Sequence, residues 1–188
     1  MISIHGYAIV CRHDRIADAN GAFPPVLMNE ADWAYFQAEL DRADLCVLGS
    51  ASHRATPNRA NRRRLVMSRG AEGFEQREDA WWWAPERVAF DEVCARLLPD
   101  GGRIGVPGGQ VAFDYFLHES PPGLRFDTFH LSRARNAAIP DGRGILRGVE
   151  AGRDADTLLR EHGLVPGETR VIEADAGVDL TIYSAHPR

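Results

Sequence analysis

The chain has 188 residues, 44% hydrophobic and 26% charged, a balance typical of a globular domain and not of a disordered chain. This length predicts a single domain over residues 1–188, and the net charge of −5 argues against a general nucleic-acid-binding protein. All 22 basic residues are arginine, which excludes a Schiff-base lysine and a lysine-bearing phosphate loop.

The expected compartment follows from two further observations. No apolar run reaches the roughly 18 residues of a membrane span, and the first residues resemble no secretory signal. Cys11, Cys46 and Cys94 are odd in number and far apart, which favours buried thiols over disulfides. We therefore expect a cytoplasmic protein without a membrane partner. The seven histidines show no ligand spacing, so no metal site is expected.

Apolar periodicity predicts alternating strands and helices along most of the chain. In chain order we expect a strand at 2–10, a helix at 30–43 after Asn29 as N-cap, strands at 45–48, 65–67 and 81–83, a helix beginning at Pro85, a strand at 103–106, a helix after Gly108-Gly109, and a strand at 126–131. The helix at 30–43 is predicted to bury an apolar face that includes Trp33 and Phe36.

The C-terminal third has a different pattern. A long loop is expected at 136–153, then a short helix with Asp154 as its N-cap, and then strands at 169–173 and 178–184 joined as a hairpin. Together the elements predict an α/β domain. Its central, mostly parallel sheet is flanked by helices and carries an antiparallel C-terminal strand pair.

Two features are candidates for chemistry. Gly108-Gly109 precedes a helix, so the backbone there could approach a cofactor phosphate; an ordinary tight turn is the alternative. Asp32 borders the face of its helix that is expected to be buried, where desolvation would raise its pKa and suit a proton donor. Its alternative role is a capping acid, since it is the third helical residue after Asn29.

Two runs of residues have both a functional and a structural interpretation. The arginines before and after the strand at 65–67 could bind phosphates or carboxylates, or form a solvated surface: Arg59, Arg62, Arg63, Arg64 and Arg69. Strand alternation places Arg62 and Arg64 on one face and Arg63 on the other. Trp81-Trp82-Trp83 could stack on a ligand ring, or form a strand edge that is capped by a helix. The chain has no nucleophile elbow, so a covalent hydrolase is not indicated.

The order of several short motifs resembles the dihydrofolate reductase superfamily, which includes the reductase domain of riboflavin biosynthesis. The motifs are MISI with AIV, DRIADANGAFP, EADWAYF, ADLCVLGS, NRRRLVMSR, PGGQVAFDYFL, FHLSR and LTIYSAHPR. The resemblance implies the dihydrofolate reductase-like fold and a reductase that transfers hydride from NADPH to a C=N-type bond of a pterin-like substrate, namely dihydrofolate. The alternatives are a riboflavin-type pyrimidinone reductase and a non-catalytic nucleotide-binding protein.

The resemblance also implies roles for individual residues. Asp32 would be the catalytic acid and Ser132 the hydroxyl that hydrogen-bonds it. Ile9, Asp32, Phe36 and Arg62 would bind substrate, with Arg62 on a substrate carboxylate. The implied cofactor-binding residues are Ile16, Gly49, Ser50, Ser52, Ser68, Arg69, Gly108, Gly109, Gln110 and Val111.

Three departures from the family pattern are visible. Gly49 is followed by Ser50-Ala51-Ser52-His53, where the family usually has Arg and a nearby Thr that hold cofactor phosphates. A preference for NADPH over NADH would then require Arg54 or Arg69 to substitute at the 2′-phosphate. Pro25 stands where the family has Trp, and Pro107 replaces a glycine. The expected partner is a small pterin or pyrimidine and not a nucleic acid, bound by a monomer or homodimer.

Overall fold

The computed structural model describes residues 1–78 and 80–186. The strands are β1 (Ile2–Cys11), β2 (Arg15–Ala17), β3 (Leu45–Gly49), β4 (Arg64–Met67), β5 (Phe74–Arg77), β6 (Ala80–Trp83), β7 (Gly102–Gly108), β8 (Thr128–Ala134), β9 (Arg143–Gly144), β10 (Leu164–Pro166), β11 (Arg170–Glu173) and β12 (Val178–Ala185). The helices are α1 (Glu30–Leu40), α2 (Ser50–Ala55), α3 (Phe90–Leu97), α4 (Gln110–Asp114), α5 (Arg147–Glu150) and α6 (Ala155–Glu161). A 3-10 turn at Pro25–Leu27 precedes α1, and a π-helical turn at Tyr115–Glu119 extends α4.

The strands form one large mixed sheet and one small sheet. Along the large sheet the order is β10-β12-β8-β1-β7-β3-β4-β6-β5, with β11 also paired to β12. The six strands from β8 to β6 are parallel, and β12 is antiparallel to β8. A separate two-stranded sheet joins β2 to β9. The mostly parallel sheet with an antiparallel C-terminal pair confirms the predicted fold class.

The parallel sheet opens at its carboxyl edge between β1 and β7. These strands pair only as far as Gly6 and Val106, after which β1 continues beside β8 and β7 beside β3. Pro107 follows this last pair and has no N–H to donate to a neighbouring strand. Ligands of open α/β sheets bind where neighbouring strands separate at the carboxyl edge, so this crevice is where a site is expected.

The face of the sheet that carries α3, α4 and α6 is apolar. Its centre is an aromatic group in which Phe90 lies 5.0 Å, between ring centres, from both Trp83 and Phe116. All three side chains are fully buried. This single cluster extends from β8 to β6 and supplies most of the buried apolar surface of the domain.

The opposite face carries α1 and is partly polar. Gly105 permits the close approach of this helix, since a Cβ there would lie 3.0 Å from Leu40. Beneath the helix, Arg103 donates to Glu39 at 2.7 Å and to the Tyr7 hydroxyl at 2.8 Å. The predicted apolar face of α1 is therefore wrong in part. Trp33 is 57% exposed, whereas Glu39 is buried because Arg103 and Tyr7 pair with it.

Several predicted boundaries also need correction. The first helix ends at Leu40 and not at residue 43. The helix predicted from Pro85 begins at Phe90, because residues 84–88 form a turn in which Val88 N–H bonds to the Ala84 carbonyl. The strand predicted at 126–131 lies at Thr128–Ala134. Strand β5 and helix α2 were not predicted, and the expected loop at 136–153 contains β9 and α5.

Three consecutive arginines tie three helices to the start of β4. Their partners are Gln37 and Asp41 for Arg62, the Leu97 carbonyl for Arg63, and the Thr56 carbonyl for Arg64. These partners lie at the C-terminal ends of α1, α3 and α2, where carbonyls lack helical partners and the helix dipole favours a cation. The predicted alternation is confirmed, since Arg62 and Arg64 reach the α1 and α2 face and Arg63 reaches the α3 face.

Candidate active site

The candidate acid lies at the end of α1 nearest the crevice. Helix α1 runs against the direction of the parallel strands, because Asp41 is bonded to Arg62 just before β4 whereas Asp32 is bonded to Ser132 near the end of β8. The Asn29 side chain accepts a hydrogen bond from the Asp32 backbone N–H at 2.9 Å, so Asn29 is the predicted N-cap. The carboxylate itself is engaged by Ser132 and not by the cap.

Burial and hydrogen bonding act on Asp32 in opposite directions. Its half-buried position raises the pKa of the carboxyl group, and the hydrogen bond from Ser132 partly offsets that rise. Ser132 is itself only 2% exposed, so its hydroxyl is held in place. A carboxyl group in this setting retains its proton to higher pH than an exposed aspartate, as a proton donor near neutral pH requires.

The other predicted substrate residues divide into two groups. Ile9 is paired with Ser132 across β1 and β8, and Phe36 lies one helical turn beyond Asp32. Phe36 contacts the exposed Trp33, with ring centres 5.5 Å apart. By strand pairing and helical spacing, Ile9 and Phe36 lie close to the acid. Arg62 does not, because it is bonded to the other end of α1, roughly 13 Å away along the helix axis at about 1.5 Å per residue.

The two predicted phosphate-binding turns meet at the carboxyl edge. Leu48 is paired with Gly108 across β3 and β7, so Gly49 and Gly109 follow neighbouring strands. Gly109 has a φ of +97°, which favours glycine, and a Cβ there would lie 3.4 Å from the Ser52 hydroxyl and 3.8 Å from Gly49 N. A Cβ at Gly49 would contact nothing within 4 Å. The two turns thus leave open space beside the first residues of α2 and α4.

The residues around the start of α4 have different environments. Gln110 donates through its side chain to the Gly144 carbonyl and to Glu150, both at 2.9 Å. Its side-chain amide therefore anchors α4 to β9. Val111 is 57% exposed on the next position of the helix. Ile16 lies on β2, which pairs with β9 and is thereby connected to the same anchor.

The remaining predicted cofactor residues continue along the edge toward β4. Ser50 is the first residue of α2, for which Gly49 is the N-cap. Ser68 follows β4, and its hydroxyl accepts from the Gly70 N–H at 3.2 Å. Arg69 is exposed, as is Arg54 on α2. The predicted cofactor residues therefore extend along one edge of the sheet, from β7 through β3 to β4.

The tryptophan run has a structural environment on both faces of β6. Trp83 is fully buried in the apolar cluster, and Trp81 stacks on Phe74 with ring centres 4.8 Å apart. Arg77 lies over the ring of Trp82 at 4.8 Å. These contacts support a structural role for the run, but the predicted strand edge is wrong, because β6 is paired with β4 on one side and with β5 on the other.

A set of polar residues under α1 was missed by the sequence analysis. A chain of hydrogen bonds links Tyr35, His130, Thr128, His5 and Ser3. These residues come from three separate segments, α1, β8 and β1, and show no common motif. Strand register supplies the only signal, because Thr128 and His130 alternate with buried apolar residues on β8.

Among residues 1–78 and 80–186, the helices are all too short or too polar to span a membrane.

Comparison with known proteins identifies the fold. No protein-family model and no curated protein matches the chain. Dihydrofolate reductase from Enterococcus faecalis, complexed with NADP(H) and RAB-propyl, superposes with a TM-score of 0.67 and 14% identity over 98% of this chain and 97% of that chain. A protein from Shewanella sp. PV-4 named for riboflavin biosynthesis gives a TM-score of 0.63 and 16% identity over 97% and 98% of the two chains.

A third similar structure comes from Thermotoga maritima. It is a diaminohydroxyphosphoribosylaminopyrimidine deaminase/5-amino-6-(5-phosphoribosylamino)uracil reductase, with a TM-score of 0.64 and 11% identity. The similarity covers 98% of this chain but only 56% of that chain. These similarities show that the chain has the dihydrofolate reductase-like fold.

Proposed function

We propose that this protein is an NADPH-dependent reductase that reduces a C=N-type bond of a pterin-like substrate, namely dihydrofolate to tetrahydrofolate. The observation that carries the proposal is the half-buried Asp32, bonded to Ser132 beside a crevice whose other wall ends in the Gly108-Gly109 turn. The fold shared with the Enterococcus faecalis reductase supports it. We place the enzyme in the cytoplasm, as a monomer or homodimer that binds a small molecule and no nucleic acid.

The chain's own task in this reaction is to supply a proton and to orient the substrate. Asp32 would hold the proton that the ring nitrogen receives, directly or through a water molecule. Ser132 would keep the carboxyl group in one orientation. Ile9 and Phe36 would contact the flat substrate ring beside the acid, and such placement itself contributes to the rate.

The glycine-lined edge fits the cofactor. Gly49 and Gly109 leave space that a Cβ would reduce, and the backbone N–H groups at the starts of α2 and α4 suit a pyrophosphate. Ser50, Ser52, Gly108, Gln110 and Val111 would surround it, with Ile16 across the crevice and Ser68 and Arg69 toward the adenosine end. When bound, NADPH supplies the hydride.

The central experiment is turnover of the Asp32→Asn variant. Oxidation of NADPH and NADH is measured against dihydrofolate and a panel of small pterins and pyrimidinones. The variant should lose a factor of about 10²–10⁴ in turnover while it retains cofactor affinity. Glu30→Gln is the matched control, because Glu30 is another acid in the first turn of α1 but is exposed. Near-wild-type turnover of Asp32→Asn would disprove the catalytic assignment.

The cofactor site has its own test. Gly109→Val should weaken NADPH binding at least tenfold, because the branched side chain would enter the space between the two turns. Gly163→Val is the matched control, since Gly163 has a φ of +84° and open space around it. Equal affinity for the two variants would exclude this site.

The 2′-phosphate contact has a separate test. Replacement of Arg54 or Arg69 by Ala should weaken NADPH binding and leave NADH binding unchanged if that residue contacts the 2′-phosphate.

One observation favours a pyrimidinone reductase of the riboflavin type as the second candidate. Arg62, proposed to hold a substrate carboxylate, donates to Asp41 at 2.6 Å and to Gln37 at 2.8 Å. A substrate with a carboxylate tail would have to be elongated for the tail to reach Arg62, and its carboxylate would have to displace Asp41 from that side chain. Arg62→Ala should raise the KM for dihydrofolate and not for a pterin without the tail. If both substrates are affected equally, Arg62 serves the helix end alone.

A further inference from the structure

Tyr35 lies on the same side of α1 as the candidate acid. It follows Asp32 by three residues, a spacing that places two side chains next to each other on a helix surface. Its hydroxyl contacts Nδ1 of His130 on β8, and it also accepts a hydrogen bond from Arg170 on β11. The guanidinium carbon of Arg170 lies 5.1 Å from the centre of the Tyr35 ring. Tyr35 is therefore connected to two strands.

The register of β8 makes this contact a partner of the Asp32 contact. His130 and Ser132 are two residues apart on the strand, so their side chains share one face. Along α1, Asp32 meets Ser132 and Tyr35 meets His130. Two adjacent hydrogen bonds between one helix and one strand fix the rotation of the helix about its own axis, which a single bond does not.

The protonation states keep this contact directional. Burial is the main cause that lowers the pKa of His130 to about 3 and raises that of Tyr35 to about 12, so both groups are neutral. Because Arg170 donates to the Tyr35 oxygen, the hydroxyl proton is available for His130 Nδ1. Nε2 of His130 then donates to Thr128 at 2.9 Å, and Thr128 lies 2.8 Å from His5. The hydrogen bonds of the Tyr35 and His130 rings therefore run in one direction, with each group donating to the next from Arg170 to Thr128.

We propose that Tyr35 is a positioning residue: its hydroxyl, held by His130 and Arg170, sets the rotation of α1 and thereby keeps the Asp32 carboxyl group on Ser132. The effect on turnover rests on the proposed function, but the effect on Asp32 does not. Removal of the Tyr35 hydroxyl should let the helix rotate and lengthen the Asp32–Ser132 bond. Since that bond lowers the pKa of Asp32, its loss should raise this pKa further.

The test is a carbon-13 NMR titration of the Asp32 carboxyl group, assigned with Asp32→Asn. We expect Tyr35→Phe to raise the pKa of Asp32 by about one pH unit, the size of a typical hydrogen bond. Arg170→Gln, an exposed change on β11, should produce a smaller rise in the same direction. The matched control is Tyr7→Phe, which removes a hydroxyl from the same layer but one bonded to Glu39 and Arg103. The control should leave Asp32 unchanged.

A double variant separates positioning from a general loss of structure. Ser132→Ala should raise the pKa of Asp32 directly, and addition of Tyr35→Phe to it should cause no further rise. An unchanged titration in Tyr35→Phe, or a full further rise in the double variant, would overturn the proposal. If Asp32→Asn retains full turnover, the reductase function fails while the titration still decides the role of Tyr35. If both the reductase function and the role of Tyr35 hold, the pH at which kcat changes should shift by the same amount as the pKa of Asp32.

Discussion

The two faces of the central sheet are covered by different kinds of contact. On one face, α3 and α4 bury aromatic rings such as Phe90 and Phe116 against the strands. On the other face, α1 lies over a layer in which Tyr7, Glu39 and Arg103 are hydrogen-bonded. Apolar packing depends mainly on buried area, whereas hydrogen bonds depend on distance and angle. The candidate acid is on the helix held by directional contacts.

This difference suggests a division of roles between the faces. The apolar face would supply most of the stability, and the polar face would supply the orientation of α1. Loss of an apolar contact should then cost unfolding free energy without changing Asp32. Loss of a polar contact should cost less free energy and change the chemistry near α1 more.

The largest loss of stability is expected on the apolar face. Phe90→Ala removes a fully buried ring that contacts Trp83 and Phe116 at 5.0 Å, and should lower the free energy of unfolding by about 3–5 kcal/mol. Urea denaturation measures this loss, and cofactor affinity of the folded fraction should be unchanged. A loss under about 1 kcal/mol would mean that this cluster is not the main source of stability.

A smaller loss is expected from the polar face. Glu39→Ala leaves Arg103 and the Tyr7 hydroxyl without their shared acceptor, at a cost of about 1–3 kcal/mol. Glu39→Gln retains an acceptor oxygen and should cost less. Glu92→Ala, at an exposed position of α3, is the control and should change stability by less than about 0.5 kcal/mol. Equal losses for Glu39→Ala and Glu92→Ala would contradict the assigned role of the polar layer.

The polar face should also give the stability a pH dependence, through two of its buried histidines. Burial lowers the pKa of His5 to about 4 and that of His130 to about 3, with Arg103 as a further cause for both. The unfolded chain binds protons at these histidines below about pH 6.5 and the folded chain does not, so stability should fall as pH decreases from 6.5 toward 4. Each imidazole contributes a slope of up to about 1.4 kcal/mol per pH unit.

His130→Gln tests this dependence. The variant should have a shallower pH dependence of unfolding between pH 6 and 4, and Gln can still accept from Tyr35 and donate to Thr128. Equal slopes for the wild type and the variant would show that His130 titrates normally in the folded chain.

The elements with a clear apolar pattern could be predicted from the sequence. Strand β1, the Asn29 cap and the hairpin of β11 and β12 lie close to their predicted positions. The short strands β2 and β9 have no apolar repeat, and they form because the loops that contain them lie side by side. The face of α1 was misjudged because the burial of Glu39 depends on Arg103, 64 residues away.

The candidate site shows the same limit. The resemblance supplied Asp32 and Ser132, and the structure places them in contact. It also supplied Arg62 as a substrate ligand, and the structure pairs that side chain with Asp41. Tyr35 and His130 were missed because they share no motif and meet only when α1 is placed on β8.

The three arginines at the start of β4 have a consequence for the length of the chain between α2 and β4. Surface loops usually accept insertions and deletions. Here Arg64 is bonded back to Thr56, and Asn58 is bonded to the backbone N–H and carbonyl of Arg62. Since alternation sends neighbouring arginines to opposite faces, a one-residue shift would misplace every guanidinium at once. Relatives of this protein should vary in the composition of this segment and not in its length.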